Sequence, residues 1–154
     1  MAQILSTVGI DASQDWLDVV IHPADEHFRV SNDEAGWREL VRRLKPSAPR
    51  AIGIEASGAC TRGVTVALFE AGFSVRLINP WKLRQFAKAA GVLAKNDRLD
   101  ARVIALFTAT LPTREVQHDP VRDHLAQLVR ARRQILDTKQ LLANQAEHMT
   151  DAEL

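Results

Sequence analysis

Short β-rich runs fill the first thirty residues, and apolar residues at helical spacing take over further along. Ile4 to Ile10 predicts a strand that ends in Gly9-Ile10-Asp11. Trp16-Leu17-Asp18-Val19-Val20-Ile21-His22 predicts a second, and His27 to Val30 a third, joined by the turn-like Pro23-Ala24-Asp25-Glu26. Together they predict an antiparallel meander. Ser31-Asn32-Asp33-Glu34 is a helix-start signature, and Trp37, Leu40, Val41 and Leu44 follow at helical spacing until Pro46. Ala51-Ile52-Gly53-Ile54-Glu55 is a short, buried-looking strand ending on an acid. Thr61 to Glu70 is helical and stops at Ala71-Gly72. Ser74 to Ile78 is another strand, ended by Asn79-Pro80. Pro80 opens a helix through Trp81, Leu83, Phe86 and Ala87. Asp97 to Leu111 is helical and is closed by Pro112, and a last helix covers about 120 to 148.

Strand, helix, strand over residues 51–78 argues a right-handed parallel crossover. The order βββαβαβ followed by helices is α/β with a mixed five-stranded sheet, in the manner of ribonuclease H. The expected division is a catalytic-type domain over residues 1–112 and a helical connector over 113–154. In the last helix Val121, Leu125, Leu128, Arg132, Ile135, Lys139, Leu142, Ala146 and Met149 alternate by four and three. That is a coiled-coil-like seam with two basic positions, and it predicts a homo-oligomer through Leu125, Leu128, Ile135 and Leu142.

Composition narrows the class. The 154 residues are 46% hydrophobic and 25% charged, which excludes wholesale disorder. The single cysteine, Cys60, excludes an intramolecular disulfide and any zinc spacing, and fits a reducing cytoplasm. No run approaches the roughly 20 apolar residues of a membrane span. The N-terminus lacks a basic region and a cleavage site, so no secretory signal is expected. The formal net charge of +1 is unevenly spread. Residues 76–102 hold Arg76, Lys82, Arg84, Lys88, Lys95, Arg98 and Arg102 against only Asp97 and Asp100. Such a surface suits a polyanion, because each cation can neutralise a phosphate and release counterions. A solvated helical face is the plainer reading of the same charges.

Four acids carry the candidate chemistry. Asp11 ends the first strand and Glu55 the fourth, while Asp97 and Asp100, three apart, share one helix face. If the first and fourth strands are neighbours, Asp11 and Glu55 meet at one sheet edge. Converging carboxylates repel one another and call for a cation. Hard oxygen donors suit Mg²⁺ or Mn²⁺, and two ions about 3.5–4 Å apart can clamp the attacking and leaving oxygens of phosphoryl transfer. Each acid also has a simpler reading: Asp97 as an N-cap, Asp11 as a turn residue, Asp100 as an ion-pair partner of Arg98 or Arg102, Glu55 as the cap of the next helix.

The same residues carry a resemblance. Gly9-Ile10-Asp11-Ala12-Ser13-Gln14-Asp15-Trp16-Leu17-Asp18 resembles the opening motif of the DEDD insertion-sequence transposases of the IS110 (IS-one-ten) family, which includes Piv-type DNA invertases. Glu55-Ala56-Ser57-Gly58 resembles the family's glutamate motif. Asn79-Pro80 with Arg84-Gln85-Phe86-Ala87 resembles its next block, and Lys95-Asn96-Asp97-Arg98-Leu99-Asp100-Ala101 its closing aspartate pair. Asn96 and Ser57 depart from the usual Thr or Ser and Thr, leaving the four acids intact. The resemblance implies a RuvC-like domain with Asp11, Glu55, Asp97 and Asp100 as both catalytic and metal-binding tetrad. It implies DNA recombination through branched intermediates, guided by a structured RNA. The family's C-terminal serine domain is not visible in these residues, so incomplete activity is expected of them. Lys82, Arg84, Lys88, Lys95, Arg98 and Arg102 are assigned to phosphate contact.

Two other functions compete. An actin-like or sugar-kinase ATPase also places an aspartate at the end of a first strand, but it needs glycine-rich phosphate loops, and Ala12-Ser13-Gln14 follows Asp11 here. A non-catalytic nucleic-acid-binding and dimerisation module would keep the fold and the basic surface without chemistry. Arg130, Arg132 and Arg133 fit either nucleic-acid contact or the polar face of a helix. Trp16, Trp37 and Trp81 are expected at core edges rather than as base-stacking platforms. Cys60 is expected as a small core or helix-start residue.

Overall fold

A computed structural model of the chain describes residues 5–56, 58–92, 97–113, 115 and 119–151; the side chains of 97–99, 120, 122, 123 and 147–151 lie outside that description. The chain divides into two compact units, Met1–Val116 and Gln117–Leu154.

The first unit is built on a mixed sheet of five strands: β1 (Thr7–Ala12), β2 (Trp16–His22), β3 (Glu26–Ser31), β4 (Ala51–Glu55) and β5 (Val75–Ile78). Their order across the sheet is β3-β2-β1-β4-β5. The β1-β2-β3 meander is antiparallel, and β4 and β5 add on parallel to β1. A parallel neighbour needs a crossover, and the chain supplies one through α1 (Glu34–Leu44) and another through α2 (Arg62–Glu70). Three further helices follow: α3 (Pro80–Ala89), α4 (Asp97–Thr110) and α5 (Pro120–Asp151). The expected α/β class and mixed five-stranded sheet are therefore observed. β1 runs one residue beyond Asp11 and ends at Ala12.

Local chemistry explains the helix starts. The Asp33 carboxylate caps α1 by accepting from Gly36 N at 2.8 Å, and the Ser31 hydroxyl donates to the same oxygen at 2.9 Å. The Gly36 bond, then the Ser31 bond, holds the Asp33 carboxyl below its ordinary value. Asn79 caps α3 by accepting from Trp81 N and Lys82 N, with Pro80 at the first helical position. α2 has no side-chain cap and is entered through a short 3-10 turn at Ala59–Thr61. Glu55 is thus not its cap.

Strand periodicity sorts the core onto two faces. Val8, Ile10, Leu17, Val19, Ile21, Ile52, Ile54 and Val75 point one way and pack with Leu40 and Leu44 of α1 and Val64 and Leu68 of α2. On the other face Ile78 packs with Leu83 of α3 and Val103, Ile104 and Phe107 of α4. Phe86 meets Phe107 edge to face at 5.3 Å.

α4 lies unusually close to the sheet, and two glycines are the reason. A Cβ on Gly9 would collide with the main chain of α4 at Ala101 O and Ala105 N. A Cβ on Gly53 would collide with Thr108 Oγ1. The buried Thr7 hydroxyl donates to Ala105 O at 3.1 Å, tying β1 to the same helix. Of the three tryptophans, Trp37 is half-buried and donates from Nε1 to Asn32 at 2.9 Å. Trp16 and Trp81 are 49% and 66% exposed, so the expectation of a core-edge role fails for both. Trp81 sits opposite Leu83 on the helix and faces solvent.

α5 forms the second unit. Val121, Leu125, Leu128, Ile135 and Leu142 are exposed along it within the single chain. Among the described residues no helix is long and apolar enough to cross a membrane.

Candidate active site

The site grows out of a repeated triad, Gly-Ile-Asp in β1 and Gly-Ile-Glu in β4. The two strands are parallel neighbours with Gly9 opposite Gly53 and Ile10 opposite Ile54. Asp11 and Glu55 therefore come next in register, about 4.8 Å apart at the strand spacing. In each triad the isoleucine points into the α1–α2 core, while the glycine and the acid face α4. Both acids are half-buried.

α4, which carries Asp100, packs across this part of the sheet. Gly9 faces Ala101 and Ala105, and Gly53 faces Ile104 and Thr108. A two-residue step along a strand covers about 6.6 Å, a little more than one helical turn of 5.4 Å. One step on, Asp11 faces the turn around residues 97–101 and Glu55 the turn around 100–104. Asp100 is half-buried in that first turn. Asp97 opens the same helix; its side chain, like that of Arg98, lies outside the described residues, and Lys95 does so entirely. Among the described residues no three of His, Cys, Asp or Glu converge closely enough to hold a metal ion. The donors at the edge are all carboxylate oxygens, which fits Mg²⁺ or Mn²⁺ and not a soft metal.

A further acid, this one buried, was not singled out from the sequence. Asp18 lies directly opposite Asp11 in the β1–β2 ladder and is 5% exposed. Like charges in direct opposition repel. Arg29, opposite Asp18 on β3, answers with a two-pronged contact, Nε at 3.1 Å and Nη2 at 2.7 Å, and His27 Nε2 approaches at 3.1 Å. The signal was available: Asp18 interrupts Leu17 and Val19 on an otherwise apolar strand.

The cations divide. Lys82, Arg84 and Lys88 are exposed on α3, which starts where β5 leaves the sheet beside Glu55. Arg102 is exposed on α4, but its Nε lies 3.4 Å from Asp25 in the β2–β3 turn, where Asp25 has a φ of 55°. Arg102 thus leans toward the opposite end of β2 from the carboxylate edge. Cys60 lies in the 3-10 turn with its Sγ 3.5 Å from Ala12 O, matching the expected small helix-start residue.

Similarity to known proteins agrees with this fold. Two RuvC structures from Thermus thermophilus share the fold. One, RuvC in complex with a Holliday junction substrate, aligns at a TM-score of 0.55 with 16% identity, covering 73% of this chain and 99% of that one. The other aligns at 0.56 with 17% identity, covering 73% and 100%. No curated protein matches the chain. The transposase profile of the IS110 DEDD family matches residues 8–152. That span takes in the paired strand acids, the helix that meets them and most of α5, and the chain belongs to the IS110 family of DEDD transposases.

Proposed function

We propose that Asp11, Glu55, Asp97 and Asp100 form a divalent-metal site and that the chain is the strand-cleaving domain of a DNA recombinase. The reading rests on one observation above all: two in-register Gly-Ile-acid triads run beneath α4, the helix whose first turn carries two more acids. Mg²⁺ or Mn²⁺ bound there, as one or two ions, supplies charge stabilisation for the attacking and leaving oxygens of an in-line transfer at phosphorus. The protein's own part is positional. Asp11 and Glu55 are fixed by the ladder, and α4, seated on bare glycines, carries Asp100 to them. Arg29 neutralises Asp18, so the carboxylate facing Asp11 adds little negative charge. Lys82, Arg84, Lys88, Lys95 and Arg98 hold phosphates without reading bases, while Arg102, expected among them, is drawn to Asp25 away from this edge. Branched DNA is the proposed substrate, by analogy with the junction bound by the structurally similar RuvC. A structured guide RNA and self-association through α5 complete the proposal, acting in the cytoplasm where the DNA lies.

The actin-like or sugar-kinase ATPase alternative is disfavoured by the loop after Asp11. Ser13 Oγ donates to Trp16 O at 2.9 Å and accepts from Trp16 N at 3.1 Å, closing a tight turn that contains no glycine.

The test is Mn²⁺ titration by calorimetry, in the presence of a branched DNA, of the parent and of Asp11→Asn, Glu55→Gln and Asp100→Asn. At least a tenfold loss of affinity in each variant, with unchanged circular dichroism, is expected. Unchanged Mn²⁺ binding in all three refutes the metal assignment. Retained metal binding by the parent without strand cleavage assigns it instead as a non-catalytic module.

A further inference from the structure

We propose that Trp81 is a stacking platform for an unpaired DNA base beside the carboxylate edge. The proposal rests on the reading above that nucleic acid is processed at Asp11 and Glu55. Trp81 is 66% exposed, the largest apolar side chain left open on α3, and it joins neither core cluster of the described residues. Its place is specific. Ile78 pairs with Glu55 in the β4–β5 ladder, and only Asn79 and Pro80 separate it from Trp81. Three residues span at most about 11 Å, or roughly three stacked nucleotides at 3.4 Å each.

The helix itself adds the cations. Leu83, Phe86 and Ala87 pack toward α4, which turns Trp81, Arg84, Gln85 and Lys88 outward along one exposed stripe at i, i+3, i+4 and i+7. An aromatic face followed by cations on a single stripe is the chemistry that holds a single strand: the ring takes a base and the cations take the adjoining phosphates. The N–H groups of Trp81 and Lys82 are occupied by the Asn79 carboxamide, so phosphate contact falls to the side chains and not to the helix terminus.

The experiment is fluorescence anisotropy of the full 154-residue chain with two labelled probes, a DNA duplex carrying a short single-stranded gap and a fully paired duplex of equal length. Trp81→Ala is expected to weaken binding of the gapped probe by about 5- to 150-fold, the range of one lost base stack, and that of the paired probe by less than twofold. Trp81→Phe, which keeps a π-face, is expected to recover most of the loss. Equal binding by parent and Trp81→Ala overturns the platform alone, as does an equal loss on both probes. Failure of the parent to bind either probe overturns both this inference and the nucleic-acid reading beneath it. A dependence on Trp81 seen with a gapped RNA probe and not with DNA overturns the DNA assignment.

Discussion

Placing a methyl group on Gly53 tests the contact that seats α4. An added Cβ would strike Thr108 Oγ1, and would also lie 2.9 Å from Ile78 Cδ1 and 3.1 Å from Ile104 Cγ2. Overpacking of this kind costs about 1–3 kcal/mol, and the direct hit on a buried hydroxyl puts Gly53→Ala near 2 kcal/mol. At roughly 3–6 °C per kcal/mol for a unit of this size, the melting temperature falls by about 10 °C. The obstacle is a side-chain atom that can be removed. Thr108→Ala by itself loses the 2.7 Å bond from Oγ1 to Ile104 O and costs about 1 kcal/mol. In the double variant the Cβ occupies the volume that Oγ1 vacates, so the two losses should not add. A coupling energy of about 1–2 kcal/mol is expected. Gly9→Ala is the control. Its Cβ meets main-chain atoms of α4, which no truncation clears, so its loss of about 3 kcal/mol should persist beside Thr108→Ala. Urea unfolding at 25 °C followed by circular dichroism measures the parent and all five variants. Additive losses in the Gly53–Thr108 pair, or an undisturbed Gly9→Ala, would refute the seating.

Three further outcomes are expected. Asp18→Ala should lower stability by about 2 kcal/mol in urea titration, because Arg29 and His27 lose a buried partner, though Arg29 remains hydrated. Hydrogen bonds from Arg42 and then Arg43 pull the Glu39 carboxyl down to about 2 from 4.5, so its contribution is present above about pH 4.5 and is lost as pH falls toward 2. Glu39→Gln should therefore melt below the parent at pH 7 and converge with it across that window; a constant gap would contradict the assignment. Leu128→Asp with Ile135→Asp should reduce the solution mass to that of a monomer in sedimentation equilibrium, whereas a parent already monomeric at high concentration would refute the α5 interface.

The elements were legible because their punctuation is chemical. Asp33, Pro46, Gly72, Pro80 and Pro112 mark helix starts and stops, and β2 and β4 fall on the residues that the apolar runs indicate. The neighbouring positions of β1 and β4, on which the carboxylate pair depends, entered only as a condition. Strand order arises from tertiary packing, and the paired Gly-Ile-acid triads were its one local trace. Asp18 escaped notice because a buried charge is explained by its partners, and Arg29 sits eleven residues away on another strand. Trp81 was misassigned since helical spacing groups it loosely with Leu83 and Phe86, while the actual rotation of α3 is set by Phe107, a residue further along the chain.

The bond from Thr7 to Ala105 spans 98 residues. Closing so long a loop gives the seating of α4 a late place in folding, after the meander and its two crossovers have formed a surface to receive it. During synthesis the strands can bring Asp11 and Glu55 together well before residues 97–110 leave the ribosome. On the proposed metal site, the nascent protein would then hold two of its four ligands and gain the others only when the helix that completes its fold docks. On that proposal, docking of α4 is also the step that completes the site.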